Sequence, residues 1–388
     1  MRILHVVGDS GFGGASRGIV ALVTQWTENQ WEADLLATDA TFQEFAREAG
    51  VKVIPLDCIW RRVSPIKDLW GALRLYRYLR RERYDVVHTH TTKAGFVGRI
   101  CARLARVPVI IHTVHGFAFH ETSPSRKILF YSLLERMAAR CCTHVVTVSH
   151  FHRQWLIDLG IASGDCVTAI PNGVFAGASG GEALLADAPE HGATRIVCVG
   201  RLAREKGLED LIDAATLMRN RPGPRFVIEI VGDGLLRDEL ETRCKSAGVT
   251  DCVRLTGFQA DVCAVLRSAD IVIQPSIREG LSISLLEGMA EGKPIIATSI
   301  SSNVEATGGG RAALLVPPHC PEHLAFAMET LMLDPEYART IAAHARERFE
   351  THYTLQRMLD DYKRLYDRLC DQKIPERHRP PVLSEAGF

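Results

Sequence analysis

A regular alternation of strand and helix patterns is the feature that most constrains how this chain can fold. Over residues 1–170, short apolar runs, the first of them ILHVVG at residues 3–8, are separated by stretches with helical periodicity. The pattern breaks after Pro171 and restarts with RIVCVGRL at residues 195–202. Strands regularly separated by helices form βαβ units around a parallel sheet. The sequence therefore predicts an α/β protein with two Rossmann-like halves, each built on a parallel sheet.

The predicted domain boundaries follow from this break. We predict Rossmann-like domains over residues 1–172 and 194–350, joined by a Gly-, Ala- and Ser-rich linker at residues 173–193. Residues 351–370 are predicted to form a C-terminal helix that packs back on the first domain, and residues 371–388 a disordered tail. Two such halves are expected to place a ligand cleft between the carboxyl edges of their sheets.

The overall charge and the apolar runs exclude several classes of protein. The 46 Lys and Arg balance 46 Asp and Glu, so no global field favours nucleic acid. The first residues contain too short an apolar run for a signal peptide, and no later run approaches the ~20 residues that span a bilayer. Any membrane contact is therefore expected to be peripheral. Eleven cysteines without a CxxC pair fit a reduced, cytoplasmic protein.

Residues 271–296, IVIQPSIREGLSISLLEGMAEGKPII, carry the clearest candidate site. They predict a buried strand, a polar turn, and a helix from about Ser282 to Glu291. A helix N-terminus after a strand binds anions, because its first N–H groups are unpaired and the helix dipole is positive there. Glu279 precedes the helix and Glu287 lies within it, on the order of 10 Å away at ~1.5 Å rise per residue. This spacing suits a long ligand with hydroxyl groups at both ends.

Arg201 and Lys206 lie in the loop after the first strand of the second half, between Gly200 and Gly207. A guanidinium and an ammonium at the carboxyl edge of a sheet suit the binding of a diphosphate. The alternative is a solvated basic turn that caps a helix. The two flanking glycines favour the phosphate interpretation.

The loop after the first strand of the chain, residues 8–17, is rich in glycine. Gly13 and Gly14 allow backbone N–H groups to approach a phosphate at the start of the next helix. One alternative is a tight turn without a ligand. Another is a dinucleotide site with Asp39 as its acidic residue, although Ser16 stands where the GxGxxG motif requires its third glycine.

Histidines follow two strands of the first half. His88 and His90 form an HxH pair, but no carboxylate or cysteine is spaced to complete a metal site, so no metal is predicted. His115, in HTVHGFAFH at residues 112–120, is a candidate for hydrogen bonding to a bound sugar. The alternative is that this histidine is purely structural.

The segment from Ile66 to Arg83 combines an apolar stripe with a strongly basic flank. Between Arg61 and Arg106, twelve Lys and Arg outnumber three Asp and Glu. The simpler interpretation is that the stripe faces the core and the cations face solvent. The alternative is an interfacial helix on anionic lipid. The stripe consists of Ile66, Leu69, Trp70, Leu73 and Tyr76.

Three motifs, in this layout, resemble those of glycosyltransferase family 4, the retaining sugar-nucleotide enzymes of the GT-B fold. They are GRLAREKG at residues 200–207, IPNGV at residues 170–174, and Glu279 followed by Glu287. The resemblance covers roughly residues 1–370, and residues 112–120 are similar to bacterial members that build capsule, O-antigen or lipid-linked oligosaccharides. One departure is SSNVE at residues 301–305, where many members have a glycine before the glutamate, so no role for Glu305 follows.

The resemblance implies a metal-independent, retaining hexosyltransferase in bacterial cell-surface polysaccharide or lipopolysaccharide synthesis. Its donor would be a nucleoside-diphosphate-sugar, with a UDP-sugar favoured, and its acceptor a glycan or polyprenyl-diphosphate-linked glycan. The donor is a substrate, so no cofactor is implied. The protein is expected in the cytoplasm, with peripheral contact to the inner face of an anionic membrane as one hypothesis.

The resemblance also implies roles for individual residues. Glu279 would contact the transferred sugar, Glu287 the ribose hydroxyls, and His115 would face the sugar, while Arg201 and Lys206 hold the diphosphate. The implied catalytic residues are Glu279, His115, Arg201 and Lys206. The implied donor-binding residues are Gly13, Gly14, Arg201, Lys206, Gly280, Leu281, Ser282 and Glu287. The alternatives are a sugar-nucleotide epimerase or a phosphorylase of the same fold, a nucleotide-sugar-binding protein without catalysis, and a dinucleotide oxidoreductase.

Overall fold

The computed structural model describes residues 1–8, 13–28, 31–60, 62–121, 123–175 and 192–374, which form two compact units. The first unit comprises the described residues of Met1–Pro171 and Met358–Phe388, and the second is Asn172–Arg357. Each unit is an α/β structure on one parallel sheet, which confirms the predicted fold class. Residues 176–191 of the predicted linker and residues 375–388 of the predicted tail lie outside the described residues.

The sheet of the first unit contains seven parallel strands in the order β3-β2-β1-β4-β5-β6-β7. Its strands are β1 Arg2–Val6, β2 Glu32–Leu36, β3 Lys52–Val53, β4 Val86–His90, β5 Val109–Val114, β6 His144–Thr147 and β7 Val167–Ala169. Its first helices are α1 Gly14–Glu28, α2 Ala40–Glu48, α3 Pro65–Glu82, α4 Thr92–Leu104, α5 Ser125–Ala139 and α6 His150–Asp158. The chain runs outward from β1 in both directions, so the connections diverge between β1 and β4. Ligands of such sheets bind at the carboxyl ends of the strands beside this point.

Helix α14, Leu355–Lys373, returns to the sheet of the first unit. The hydroxyl of Tyr366 is hydrogen-bonded to Nδ1 of His88 on β4 at 2.6 Å, and its ring stacks on Trp26 of α1 with centroids 4.5 Å apart. The helix continues beyond residue 370, where the sequence predicted a disordered tail, and Ile374 after it is buried. The segment stays ordered here because its apolar positions repeat at helical spacing and are buried.

Helix α3 contradicts the simpler interpretation of the basic segment, because most of its apolar stripe does not face the core. Ile66 and Leu69 are 85% and 75% exposed, and only Tyr76 of the stripe packs against the core. The core-facing residues are Gly71, Leu75 and Leu79. A Cβ at Gly71 would lie 2.1 Å from the carbonyl oxygen of Cys58, so the glycine lets this side of the helix approach the neighbouring chain closely. The face of α3 that contacts the core includes a glycine, so the pattern of apolar residues does not reveal it.

The sheet of the second unit contains six parallel strands in the order β10-β9-β8-β11-β12-β13. Its strands are β8 Thr194–Val199, β9 Phe226–Val231, β10 Val253–Gly257, β11 Ile271–Gln274, β12 Ile295–Thr298 and β13 Leu314–Val316. Its helices are α7 Leu208–Arg219, α8 Arg237–Ala247, α9 Val262–Arg267, α10 Ile283–Ala290, α11 Ser301–Ala306, α12 Pro321–Leu333 and α13 Pro335–His352. The connections diverge here between β8 and β11. The loops that follow these two strands carry most of the predicted site residues.

Candidate functional site

Two loops of the second unit meet at the carboxyl edge of its sheet, one after β8 and one after β11. They are joined by a hydrogen bond from the backbone N–H of Ile277 to the carbonyl oxygen of Glu205, at 2.9 Å. Gly207 lies at this crossing with φ +63°, and a Cβ there would stand 2.1 Å from the carbonyl oxygen of Pro275. The position therefore requires glycine for both its conformation and its close approach. The crossing fixes the side chains of the two loops relative to each other.

Lys206 and Glu279 form an ion pair at this crossing. Nζ of Lys206 lies 2.5 Å from Oε1 of Glu279, and their side chains are only 17% and 14% exposed. The same oxygen accepts hydrogen bonds from Oγ of Ser276 at 2.8 Å and from Nε2 of Gln274 at 3.1 Å. All three donors therefore converge on one carboxylate oxygen. Within the described ranges, Oε2 of Glu279 has no hydrogen-bond partner. This oxygen can therefore accept a hydrogen bond from a ligand.

Helix α10 begins directly after this carboxylate. Ser282 is its N-cap, and Oγ of Ser282 accepts a hydrogen bond from the N–H of Leu285 at 3.4 Å. Oγ of Ser284 donates to Oε1 of Gln274 at 3.1 Å, so the glutamine connects the helix start to Glu279. The predicted start of this helix, with Gly280, Leu281 and Ser282 leading into it, agrees with the structure. Its unpaired N–H groups and positive dipole end are available to an anion.

The other cation of the predicted clamp has a different environment. Arg201 is 56% exposed, and its guanidinium lies 2.8 Å from Oε1 of Glu205. Burial opposes ionisation of Glu205, but a backbone N–H and the Arg201 guanidinium outweigh it and lower the pKa of this carboxyl. Each cation is thus paired with a carboxylate of the protein. An incoming diphosphate would compete with these partners for the two cations.

Glu287, the second predicted carboxylate, lies on α10 and is buried. It has interacting partners within the protein. The loop that carries Glu279 leads directly into this helix. Both carboxylates therefore belong to one strand–turn–helix unit, as the sequence predicted. The sequence missed Gln274 and Ser276, the two groups that orient Glu279. Their signal was available, since both are polar residues at the end of an apolar strand.

His115, Gly13 and Gly14 belong to the first unit. Gly14 begins α1, and the N–H of Gly13 donates to Oγ of Ser16 at 3.3 Å, which makes the turn a cap for that helix. A Cβ on Gly13 would meet no atom of the described residues within 4 Å, so packing against them does not require glycine there. Residues 9–12 of the same loop lie outside the described residues. The predicted phosphate contact of this loop stays a prediction.

His115 ends a chain of three hydrogen-bonded imidazoles. Nε2 of His115 is 3.1 Å from Nδ1 of His90, and Nε2 of His90 is 3.1 Å from Nδ1 of His5. Burial lowers the pKa of His115 to about 4 and that of His5 to about 3, and it also lowers the pKa of His90. The imidazoles are therefore neutral near pH 7. A neutral His115 suits hydrogen bonding to a hydroxyl and does not suit the donation of a proton as an acid.

The sequence shows no third ligand spaced beside His88 and His90, whereas the fold supplies one. His5 on β1 lies next to both, with ligand nitrogens of the three residues within 4.8 Å of one another. However, Nε2 of His88 is 2.7 Å from Oγ1 of Thr113, and its Nδ1 is held by Tyr366. Among the described residues, Nε2 of His5 has no hydrogen-bond partner, whereas both nitrogens of His88 and of His90 are held by the protein. We interpret the cluster as a hydrogen-bonded network of imidazoles.

Comparison with known proteins identifies the family. Residues 12–175 match the family described as Glycosyltransferase Family 4, and residues 186–348 match Glycosyl transferases group 1. Together the two matches span most of the chain. The protein belongs to the glycosyltransferases of these families, as the sequence motifs predicted.

Named relatives share this membership. The chain is 33% identical over 262 residues to UDP-Gal:alpha-D-GlcNAc-diphosphoundecaprenol alpha-1,3-galactosyltransferase of Escherichia coli, a match that covers 66% of this chain and 68% of the relative. It is also 23% identical over 331 residues to the capsular polysaccharide biosynthesis glycosyltransferase CapM of Staphylococcus aureus, covering 81% and 84%. The relatives thus include proteins of bacterial glycan synthesis.

Solved structures confirm the GT-B fold. Anabaena HepE in complex with UDP and glucose superimposes with a TM-score of 0.79 at 20% identity, over 95% of this chain and all of the other. Sucrose-phosphate synthase from Thermosynechococcus elongatus gives a TM-score of 0.76 at 19% identity, over 96% of this chain and all of the other.

None of the helices in the described ranges combines the length and the apolar character needed to span a bilayer.

Proposed function

We propose that this glycosyltransferase is a retaining enzyme that transfers a hexose from a UDP-sugar to a lipid-linked glycan in bacterial surface polysaccharide synthesis. The observation that carries the proposal is the Lys206–Glu279 pair, set at the start of α10 beside the point where the strand connections diverge. An ammonium, a helix N-terminus and an oriented carboxylate together match a ligand that is anionic at one end and hydroxylated at the other. The E. coli relative is named for UDP-galactose and a diphosphoundecaprenol acceptor.

The donor would be held by its diphosphate. In this proposal Arg201 and Lys206 bind the phosphates, and the N–H groups at Gly280, Leu281 and Ser282 provide further donors. When the sugar leaves, the released nucleoside diphosphate carries one more negative charge than the diphosphate of the intact sugar nucleotide. Cations and helix dipoles that already point at that position stabilise it without reorganisation. We therefore propose that a metal ion is not required and that no cofactor takes part.

The sugar would lie next to Glu279. Its Oε1 is saturated by three donors, so its Oε2 is the atom that accepts a hydroxyl of the transferred hexose. Glu287 would bind the ribose hydroxyls, and neutral His115 would donate or accept a hydrogen bond at the sugar. In a same-face displacement the leaving phosphate helps to take the proton of the acceptor hydroxyl. This step needs no general base from the protein, in line with the lowered pKa of His115.

We further propose that the enzyme works in the cytoplasm, at the inner face of the membrane. A polyprenyl diphosphate acceptor is anchored in a bilayer and presents its diphosphate and sugar at the surface. Since none of the described helices could span a bilayer, we propose that the enzyme reaches this acceptor from the membrane surface. Peripheral contact with anionic lipid would allow this approach, and nucleic acid is not proposed as a partner.

The first experiment is a donor and acceptor panel. The protein is incubated with UDP-, GDP- and ADP-sugars, with and without polyprenyl-diphosphate-linked acceptors, and both nucleoside diphosphate release and glycosylated product are measured. We expect acceptor-dependent release of UDP, insensitive to EDTA, with the anomeric configuration of the donor kept in the product by NMR. An epimerised donor would favour the epimerase alternative. Binding of the donor with no release under any condition would favour a non-catalytic binding protein.

A further inference from the structure

Exposed apolar side chains of this protein are concentrated on one part of the first unit. Of sixteen large apolar side chains that are exposed among the described residues, nine lie within residues 63–73 and 129–137. Those of the first group are Val63, Ile66, Leu69, Trp70 and Leu73. Those of the second are Leu129, Phe130, Leu133 and Met137, each between 50% and 69% exposed. Single exposed apolar residues are ordinary, whereas such concentration marks a surface that another phase or molecule covers.

The two groups lie on neighbouring parts of one helical layer. Right-handed crossovers between β3, β4, β5 and β6, all made in one direction, put α3, α4 and α5 on the same face of the sheet. Helix α4 contacts both α3 and α5, so the two exposed stripes flank it. Helix α14 contacts α1, whose crossover runs the other way and which therefore lies on the opposite face. The exposed stripes thus belong to a helical layer that α14 does not cover.

The unpaired charges on the two helices themselves have one sign. On the two helices, six exposed cations form no ion pair with a described residue: Lys67, Arg77, Arg80, Arg126, Lys127 and Arg136. The acidic side chains of the same helices are neutralised, since Asp68 pairs with Lys93, Glu82 with Arg2 and Arg81, and Glu135 with Arg99. None of the three is more than 26% exposed. The surface therefore presents apolar groups bordered by positive charge.

The first turns of both helices lie at the end of the unit where its site is expected. Nζ of Lys93, three residues after β4, is 2.7 Å from Asp68 on α3 and 2.7 Å from the carbonyl oxygen of Trp60. The first turns of α3 are therefore anchored at the carboxyl edge of the sheet, next to the end of β4. The first turns of α5 follow β5 at the same edge. This is the edge at which α/β sheets bind their ligands.

We propose that α3 and α5 form a single docking surface for an anionic lipid bilayer. Apolar side chains bordered by cations match a bilayer surface, because the interior accepts the apolar groups and anionic headgroups attract the cations. A second copy of the chain fits less well, since a symmetric contact would bring two cationic surfaces together. The biological role of this docking surface rests on the proposed function. Docking through this face holds the carboxyl edge of the first unit against the bilayer, where a lipid-linked acceptor presents its diphosphate.

The test is flotation of the full-length protein with vesicles of neutral phosphatidylcholine, alone or with about 30% anionic phosphatidylglycerol, at low and high salt. Two variants remove apolar groups, Ile66→Ser/Leu69→Ser on α3 and Leu129→Ser/Phe130→Ser on α5. A third, Lys67→Glu/Arg77→Glu, reverses charge. The matched controls, Leu235→Ser/Phe326→Ser and Arg221→Glu/Arg339→Glu, change equally exposed residues of the second unit. Sugar transfer to a short, water-soluble diphosphate acceptor is measured in parallel.

We expect the wild type and both controls to bind anionic vesicles, with binding weakened by salt. Each apolar variant should bind at least tenfold more weakly, and the charge variant about fivefold more weakly for each cation replaced. All variants should keep transfer to the water-soluble acceptor, which separates docking from catalysis. If the wild type binds vesicles but transfers no sugar, the docking surface stands and the proposed function fails.

Three outcomes would overturn the docking surface. The first is no binding of the wild type to anionic vesicles at low salt. The second is loss of binding in the α3 variant but not in the α5 variant, because the proposal requires both helices. The third is a wild-type dimer that the apolar variants convert to a monomer in light scattering, which would assign the face to a second copy of the chain.

Discussion

Glu279 receives three hydrogen-bond donors on one oxygen, and this asymmetry is the most specific feature of the site at the residue scale. A carboxylate that only neutralised Lys206 would not need Gln274 and Ser276 as well. The extra donors fix the carboxylate plane, so that Oε2 points in one direction. A group oriented this closely acts by position as well as by charge.

The first prediction concerns this carboxylate. Glu279→Gln keeps the shape of the side chain but removes its charge, so contacts that strengthen as the sugar becomes positive are lost. We expect kcat to fall by about 100-fold or more, with a smaller change in the donor KM. The unpaired Lys206 should also make the protein about 1–3 kcal/mol less stable. Initial rates and urea unfolding measure the two effects.

The matched control for this prediction is Glu209→Gln. Glu209 lies at the start of α7 and pairs with Arg204 at 3.3 Å in an exposed ion pair. Exposed ion pairs contribute little to stability. This variant should therefore keep its activity within about twofold, and its stability within about 1 kcal/mol, of the wild type. A Glu279→Gln enzyme with near-normal kcat would remove the glutamate from the mechanism.

At the scale of elements, the crossing of the loops after β8 and β11 decides whether the site exists at all. Two glycines allow a direct test, since Gly207 and Gly248 have the same backbone conformation, with φ +63° and +69°. Gly207 abuts the carbonyl oxygen of Pro275, whereas a Cβ at Gly248 would meet nothing within 4 Å. The two positions share the left-handed conformation, and the close approach is found at Gly207 and not at Gly248.

The second prediction follows from that difference. Gly248→Ala should cost about 1–2 kcal/mol, the strain of a left-handed alanine, and should leave donor binding intact. Gly207→Ala must also push the two loops apart, so we expect a larger loss of stability and at least tenfold weaker UDP binding by calorimetry. Equal effects of the two substitutions would show that the crossing does not position the donor site.

The third prediction concerns the imidazole network that β1, β4 and β5 bury. The folded state keeps His5 and His115 neutral down to pKa values of about 3 and 4, whereas an unfolded histidine takes up its proton near pH 6.5. The unfolded state therefore binds more protons below about pH 6.5, and stability must be lost as the pH falls from there towards 4. Each of these histidines should contribute about 1 kcal/mol of loss for the first pH unit below 6.5.

Urea unfolding between about pH 7.5 and pH 5 measures this dependence. His5→Gln should bind about one proton fewer on unfolding and so flatten the slope. Stability that stays constant over this range would mean that the cluster is already protonated in the folded state. That result would also remove the argument that His115 acts as a neutral hydrogen-bonding group.

At the scale of the whole molecule, the strand and helix order was predictable because each parallel strand is a short apolar run bounded by turn residues. The loops carrying Arg201, Lys206 and Glu279 were predictable for the same reason, since they follow strands whose carboxyl ends meet at one edge. His5 joining His88 and His90 was not predictable, because strand order places β1 beside β4 and no local pattern encodes strand order. The prediction that the apolar stripe of α3 faces the core was wrong for a related reason. Amphipathic periodicity identifies an apolar stripe on a helix but does not show what covers it.

The fourth prediction tests how the chain divides. The first unit includes α14, which buries Leu365, Tyr366 and Leu369 and is hydrogen-bonded to His88. A fragment of residues 1–171 lacks this helix, exposes that apolar surface and leaves buried polar groups unpaired, so it should not fold stably. The same fragment joined by a flexible linker to residues 355–374 should fold. Circular dichroism and thermal unfolding distinguish the two.

The complementary fragment, residues 172–354, contains the whole sheet of the second unit together with Arg201, Lys206 and Glu279. If these residues hold the donor as proposed, this fragment should fold alone and bind UDP, and Lys206→Ala should weaken that binding at least tenfold because it removes a charge that contacts phosphate. Arg204→Ala, in the same loop but paired outward with Glu239, is the control. A folded fragment with no affinity for UDP would place essential donor contacts in the first unit, and the Gly13–Gly14 turn would then be the first position to mutate.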